Sequence, residues 1–69
     1  MKITMKPIHT DNVTELAKKA GLAYSYTHQL TRGLRNPTVK TLVRLLYANG
    51  KTAQEIRSMT LSDIATIEE

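Results

Sequence analysis

Residues 12–37 read Asn-Val-Thr-Glu-Leu-Ala-Lys-Lys-Ala-Gly-Leu-Ala-Tyr-Ser-Tyr-Thr-His-Gln-Leu-Thr-Arg-Gly-Leu-Arg-Asn-Pro, and two amphipathic segments follow one another there with a glycine between them. Asn12 can cap a helix, because its side-chain oxygen accepts from a backbone N–H that the helix start leaves unpaired. Glu15, three residues on, can return the bond to the Asn12 N–H. A helix is therefore expected from Val13. Leu16, Ala17 and Ala20 share one face at helical spacing, while Thr14, Lys18 and Lys19 share the other. Gly21 ends it, since glycine reaches positive φ without a Cβ penalty and lets the chain reverse in about three residues. A second helix is expected from roughly Ala23 to Arg32. Leu22, Leu30 and either Tyr26 or Thr27 point to the core. Separations of three and four bring Tyr24, Ser25, His28, Gln29 and Arg32 to the opposite face.

That face is dense in hydrogen-bonding groups, has one fixed positive charge and contains no acid. Arginine pairs bidentately with guanine, glutamine suits adenine, and histidine can donate or accept. Tyr24 and Ser25, at the helix start, can reach a base edge or a phosphate, where N–H groups and the helix dipole add to the attraction. The pattern suits the reading of base edges in a major groove. Beyond it, Gly33 stops the helix, Leu34 is expected to tuck into the core, and Pro37 disfavours a helical conformation at Asn36. Thr38 caps a third helix, for which Val39, Leu42, Val43, Leu45 and Leu46 supply a broad apolar stripe. Tyr47 is expected in the core or an interface, and Lys40 and Arg44 lie four apart on the wet face. Gly50 is the expected stop.

The run Glu15-Leu16-Ala17-Lys18-Lys19-Ala20-Gly21-Leu22, the loop Gly33-Leu34-Arg35-Asn36-Pro37-Thr38 and the helix Thr41-Leu42-Val43-Arg44-Leu45-Leu46 together resemble the lambda-repressor-like helix-turn-helix family of Cro-type phage and bacterial regulators. The resemblance covers about residues 12–52. It implies base contacts from Tyr24, Ser25, His28, Gln29 and Arg32, with Arg35, Asn36, Thr38 and Lys40 near phosphates; Arg44, four residues from Lys40, is expected to approach the same backbone by its spacing. Val13 stands where the family often has a DNA-anchoring glutamine, and Thr27 where a branched aliphatic is usual. Only eleven residues, Pro7 among them, precede Asn12 where the family has a full helix.

Sixty-nine residues allow one domain, and a core of that size rarely supplies more than ~3 to 5 kcal/mol without a staple. No cysteine is present, which excludes a disulfide or thiolate metal site and makes dimerisation the expected support. The start lacks a secretory apolar stretch, and no run approaches the ~20 residues of a membrane span; a soluble, cytoplasmic protein is expected. Residues 1–51 hold nine Lys/Arg against Asp11 and Glu15, a net +7, whereas residues 52–69 hold Arg57 against Glu55, Asp63, Glu68 and Glu69, a net −3. The basic part suits a polyanion and the acidic part a protein surface or solvent. His9, Asp11 and His28 lack metal-ligand spacing, and no nucleophile-base set or phosphate loop is present. Neither a cofactor nor catalysis is expected.

At the amino terminus Ile3 and Met5 alternate with Lys2, Thr4 and Lys6, a period-two pattern that argues for a strand, which Pro7 ends or confines to an edge. With no other strand expected in the chain, residues 1–11 are read as a strand pairing across a two-fold axis or as a disordered arm. Thr52 with Glu55 and Thr60 with Asp63 repeat the capping-box spacing. They predict a helix Ala53–Met59, with Ala53, Ile56 and Met59 apolar, and a terminal helix carrying Leu61, Ile64, Ala65 and Ile67. Ile3, Met5, Met59, Leu61, Ile64 and Ile67 are the candidate dimer residues.

The expectation is a single all-α bundle of four to five short helices with, as an option, a short amino-terminal strand: residues 1–11 strand or arm, 12–51 helix-turn-helix, 52–69 dimerising helices. By the resemblance it is a dimeric repressor of double-stranded DNA operators with an inverted repeat, of the kind that autoregulates small phage or mobile-element operons, anti-CRISPR operons included. The alternatives are an antitoxin, with the carboxy-terminal stretch docked on a toxin, and a protein-interaction module that kept the fold and lost DNA.

Overall fold

Asn12 starts the first helix with its side chain: Oδ1 accepts the Glu15 N–H at 3.1 Å, and the helix α1 runs Val13–Ala20. The return bond from Glu15 does not form. The Asn12 N–H instead lies 3.5 Å from the Thr10 hydroxyl. Helix α2 spans Tyr24–Thr31 and α3 spans Val39–Ala48, the latter capped by Thr38 Oγ1, which accepts from the Thr41 N–H. These elements, with a short α4 (Ala53–Arg57), a single turn α5 (Leu61–Ile64) and two strands, β1 (Lys2–Met5) and β2 (Ala65–Glu68), make up the computed structural model, which describes all residues 1–69. The fold is mostly helical with a two-stranded antiparallel sheet.

The three long helices end in one way. After α1, α2 and α3 a glycine (Gly21, Gly33, Gly50) takes positive φ, and the N–H of the residue after it reaches back to the carbonyl of Ala17, Gln29 or Leu46 respectively. This six-to-one bond closes the helix end and is commonly accompanied by an apolar contact back onto the last turn. Leu22 packs against the core cluster there and is half covered. Leu34, at the same position after α2, stays 67% exposed. The expectation that Leu34 enters the core is therefore overturned.

Leu16, Ala20, Leu30 and Leu45 form the centre of the core, with Ile8, Leu22, Tyr26 and Ala48 packed around it. Both alternatives for the inner side of α2 are used: Thr27 is fully buried and Tyr26 half-buried. The buried hydroxyl of Thr27 donates to the Ala23 carbonyl at 2.9 Å, so a polar atom stands inside without an unmet bond. On α3 the covered stripe is Leu42, Leu45 and Leu46. Val39 at 79% and Tyr47 at 66% exposure lie outside it, contrary to the sequence expectation of an inward Val39 and a packed Tyr47. The chain has too few residues to cover both flanks of α3.

The termini depart furthest from expectation. Thr60 and Asp63 do meet, the carboxylate accepting from the Thr60 N–H at 2.8 Å, but the terminal helix stops at Ile64. Ala65–Glu68 continues as β2, antiparallel to β1 with Lys2 opposite Glu68, Ile3 opposite Ile67, Thr4 opposite Thr66 and Met5 opposite Ala65. Strand β1 thus has its partner in its own chain. The fold is not all-α, the amino terminus is not a free arm, and pairing across a two-fold axis is not needed to satisfy β1. The pairing favours extended backbone for β-branched Thr66 and Ile67. Further bonds draw the amino-terminal segment over the bundle: Lys6 N–H to the Ile64 carbonyl at 3.0 Å and Ile8 N–H to the Thr31 carbonyl at 2.8 Å, with Lys6 Nζ on the Ser62 carbonyl. Gly33 receives this segment closely; a Cβ there would lie 2.5 Å from the Met5 carbonyl oxygen. No helix is long and apolar enough to cross a membrane.

Candidate nucleic-acid interface

The outer side of α2 begins without a side-chain cap, because Ala23 occupies the cap position, and no acid lies in its first turn. Its opening N–H groups therefore keep their partial positive charge for an outside acceptor. Tyr24 and Ser25 sit there, both exposed. One turn on, His28 stacks on Tyr24 with ring centroids 5.9 Å apart and planes 27° from parallel, the contact that a separation of four allows. His28 is half-buried and Tyr24 exposed.

Gln29, also half-buried, accepts a hydrogen bond through Oε1 from Arg35 Nη1 at 3.1 Å. The Arg35 guanidinium in turn lies 5.4 Å from the centre of the Tyr26 ring, close enough for the attraction of a cation to the ring face. The loop after α2 is thereby tied back to the helix. Gln29 keeps both amide hydrogens and a second Oε1 lone pair, the donor and acceptor that a bidentate contact to adenine requires. Tyr26 was read from the sequence only as a core candidate. Its role under Arg35 depends on the path of the loop, and nothing in the spacing announces it.

Arg32 caps the carboxy-terminal end of α2 and is exposed, as are Arg35, Asn36, Thr38, Lys40 and Arg44. The Thr38 hydroxyl is committed to capping α3 and to the Thr41 hydroxyl at 3.1 Å. No acid lies in the first turn of α3, where Lys40 sits. The single ion pair of the molecule joins His9 and Asp11 at 3.5 Å. Every lysine and arginine is accordingly free of a carboxylate at ion-pair distance.

Of the six candidate dimer residues, Met5, Met59 and Ile64 are half covered by the chain itself. Ile3 and Ile67, opposite one another across the sheet, remain 56% and 52% exposed, and Leu61 is exposed as well. No cluster of three or more metal-ligating side chains is present. Comparison of the chain with protein-family models, with curated proteins and with solved structures gave no match.

Proposed function

We propose that the chain is a sequence-specific regulator that binds double-stranded DNA as a lambda-repressor-like homodimer, with α2 as the helix laid in the major groove. The observation that carries this reading is the outer side of α2: five side chains rich in donors and acceptors, an uncapped helix start, and arginines that no carboxylate neutralises. In this reading Arg32 and Gln29 read bases, His28 with Tyr24 and Ser25 completes the edge, and Arg35, Asn36, Thr38, Lys40 and Arg44 hold the backbone. Thr38 contributes through the helix start it caps. A two-fold dimer would place its half-sites ~34 to 36 Å apart, and the exposed Ile3, Leu61 and Ile67 are apolar area that such a dimer can cover. In this reading action is by occupancy: the dimer blocks polymerase at an operator, its own promoter of a small phage or mobile-element operon being the expected place.

A second reading, an antitoxin whose carboxy-terminal part docks a toxin, is favoured by the same exposed Leu61 and Ile67; co-purification with the neighbouring gene product separates the two. The test of the main reading is duplex affinity against salt. Three phosphate-directed cations per protomer, Arg35, Lys40 and Arg44, make about six in a dimer, so affinity should fall by about 10³-fold between 50 and 200 mM salt. A shallow dependence, equal for all sequences, would contradict it.

A further inference from the structure

Between α3 and α4 lies an open groove of about 490 Å³ that the proposed DNA face does not use as a whole. Val43, Tyr47 and Ile56, with two alanines, make it apolar; Lys19, Lys40, Arg44 and Arg57 line it as well. Val43 is 40% exposed, and all four cations are exposed. No acidic side chain lines the groove, and none of these cations has a carboxylate at ion-pair distance. Apolar side chains left open to water beside four unpartnered cations form a surface with two unmet demands, one for apolar cover and one for negative charge.

We propose that this groove docks an acidic amphipathic protein segment, its apolar side chains covering Val43, Tyr47 and Ile56 and its carboxylates meeting Lys19, Lys40, Arg44 and Arg57. Charge decides among the occupants. A second copy presenting the same groove would set four cations against four, and like charges facing one another across an interface repel. Duplex DNA meets the cations but leaves the aliphatic floor uncovered. Single-stranded nucleic acid binds through aromatic platforms, and Tyr47 is the one aromatic here. An acidic helix or strand bearing leucines meets both demands at once. Lys40 and Arg44 belong also to the proposed phosphate contacts, whereas Lys19 and Arg57 do not, so the groove can be tested apart from DNA.

The experiment titrates the isotope-labelled full chain with a synthetic helical peptide that carries leucine on one face and glutamate on the other. Two control peptides replace the glutamates by lysine or the leucines by alanine. The expected result is saturable shifts of the Val43, Tyr47 and Ile56 amides, with affinity about tenfold or more above either control. The exposed pair Lys19→Glu and Arg57→Glu should together remove that advantage, while the unbound amide spectrum away from the two sites stays in place. Three results would overturn the proposal: no saturable shift, equal binding of the lysine peptide, or shifts centred on the sheet instead. Movement of the same three amides on simple concentration of the chain would give the groove to a second copy and overturn it too, as would tighter saturation by single-stranded RNA. Because no duplex DNA enters the measurement, its failure leaves the regulator reading standing, and failure of the salt test leaves the groove standing.

Discussion

The middle of the chain and its two ends are built on different principles. From residue 12 to 51 the helix ends are set by nearby residues: Asn12 and Thr38 cap α1 and α3, and glycines with positive φ follow each of the three helices. All nine buried residues lie in this stretch, between Leu16 and Leu46. The ends, residues 1–11 and 52–69, contain none. Their order rests on pairing across nearly the whole chain, Lys2–Met5 with Ala65–Glu68, and on bonds such as Ile8 N–H to the Thr31 carbonyl. A two-stranded sheet is marginal by itself, so the ends depend on the middle, which holds every fully buried residue and takes Ile8 onto its core from outside. The proposed DNA face belongs wholly to the middle.

This contrast can be broken at its strongest point first. Leu45 is fully buried at the centre of the core, and Leu45→Ala should cost about 2 to 5 kcal/mol, measured by urea unfolding; a loss below about 1 kcal/mol would mean that the middle is not the stabilising unit. Next is Gly33→Ala, which forces a side chain into the left-handed region at φ 74° and against the Met5 carbonyl. It should cost about 1 to 3 kcal/mol and release β1 while α1 and α3 persist, visible as lost amide protection of Lys2–Met5. Protection of β1 unchanged in the variant would show that the ends do not lean on this turn. Thr38→Ala, which removes a cap, should cost about 1 kcal/mol, and duplex affinity should follow if the first turn of α3 holds phosphate.

The smallest effect concerns acid. Bonds from the Thr52 N–H and hydroxyl hold the Glu55 carboxyl below its ordinary range, and those from Thr60 do the same for Asp63. Folded values lowered in this way stabilise above the ordinary carboxylate range, and the stabilisation is lost as pH falls through the lowered values. Both groups are exposed, so the consequence is local. Acidification below the ordinary range should loosen α4 and α5 before the middle responds, read by amide exchange. Thr52→Ala removes the hydroxyl and keeps the Thr52 N–H, the larger cause, so the Glu55 titration should rise only part of the way toward its ordinary 4.5. An unmoved midpoint would remove the Thr52 hydroxyl as a cause and leave the N–H alone.

The same contrast explains what could be read from the residues alone. Helices α1 to α4, their caps and their glycine stops are local features, and the spacing of Tyr24, Ser25 and Arg32 put them on the outer side of α2 where they are found. Strand β2 was hidden because Leu61, Ile64, Ala65 and Ile67 fit a helix as well as a strand over so short a span, and the choice is made by β1 some sixty residues away. Leu34, Val39 and Tyr47 are apolar but exposed. Composition marks a side chain as able to be buried, and only the supply of neighbours decides whether it is. The link from Gln29 through Arg35 to Tyr26 was equally out of reach, since it depends on how the loop folds back over the helix.

The central claim is that the outer side of α2 reads base pairs, and selection from a random pool of duplex DNA tests it most directly. The wild-type chain should enrich an inverted repeat, and Arg32→Ala should blur one base pair in each half-site by about 1 to 3 kcal/mol while Lys40→Ala weakens all sequences alike. A pool that emerges without a shared sequence, or variants that blur it identically, would contradict the account.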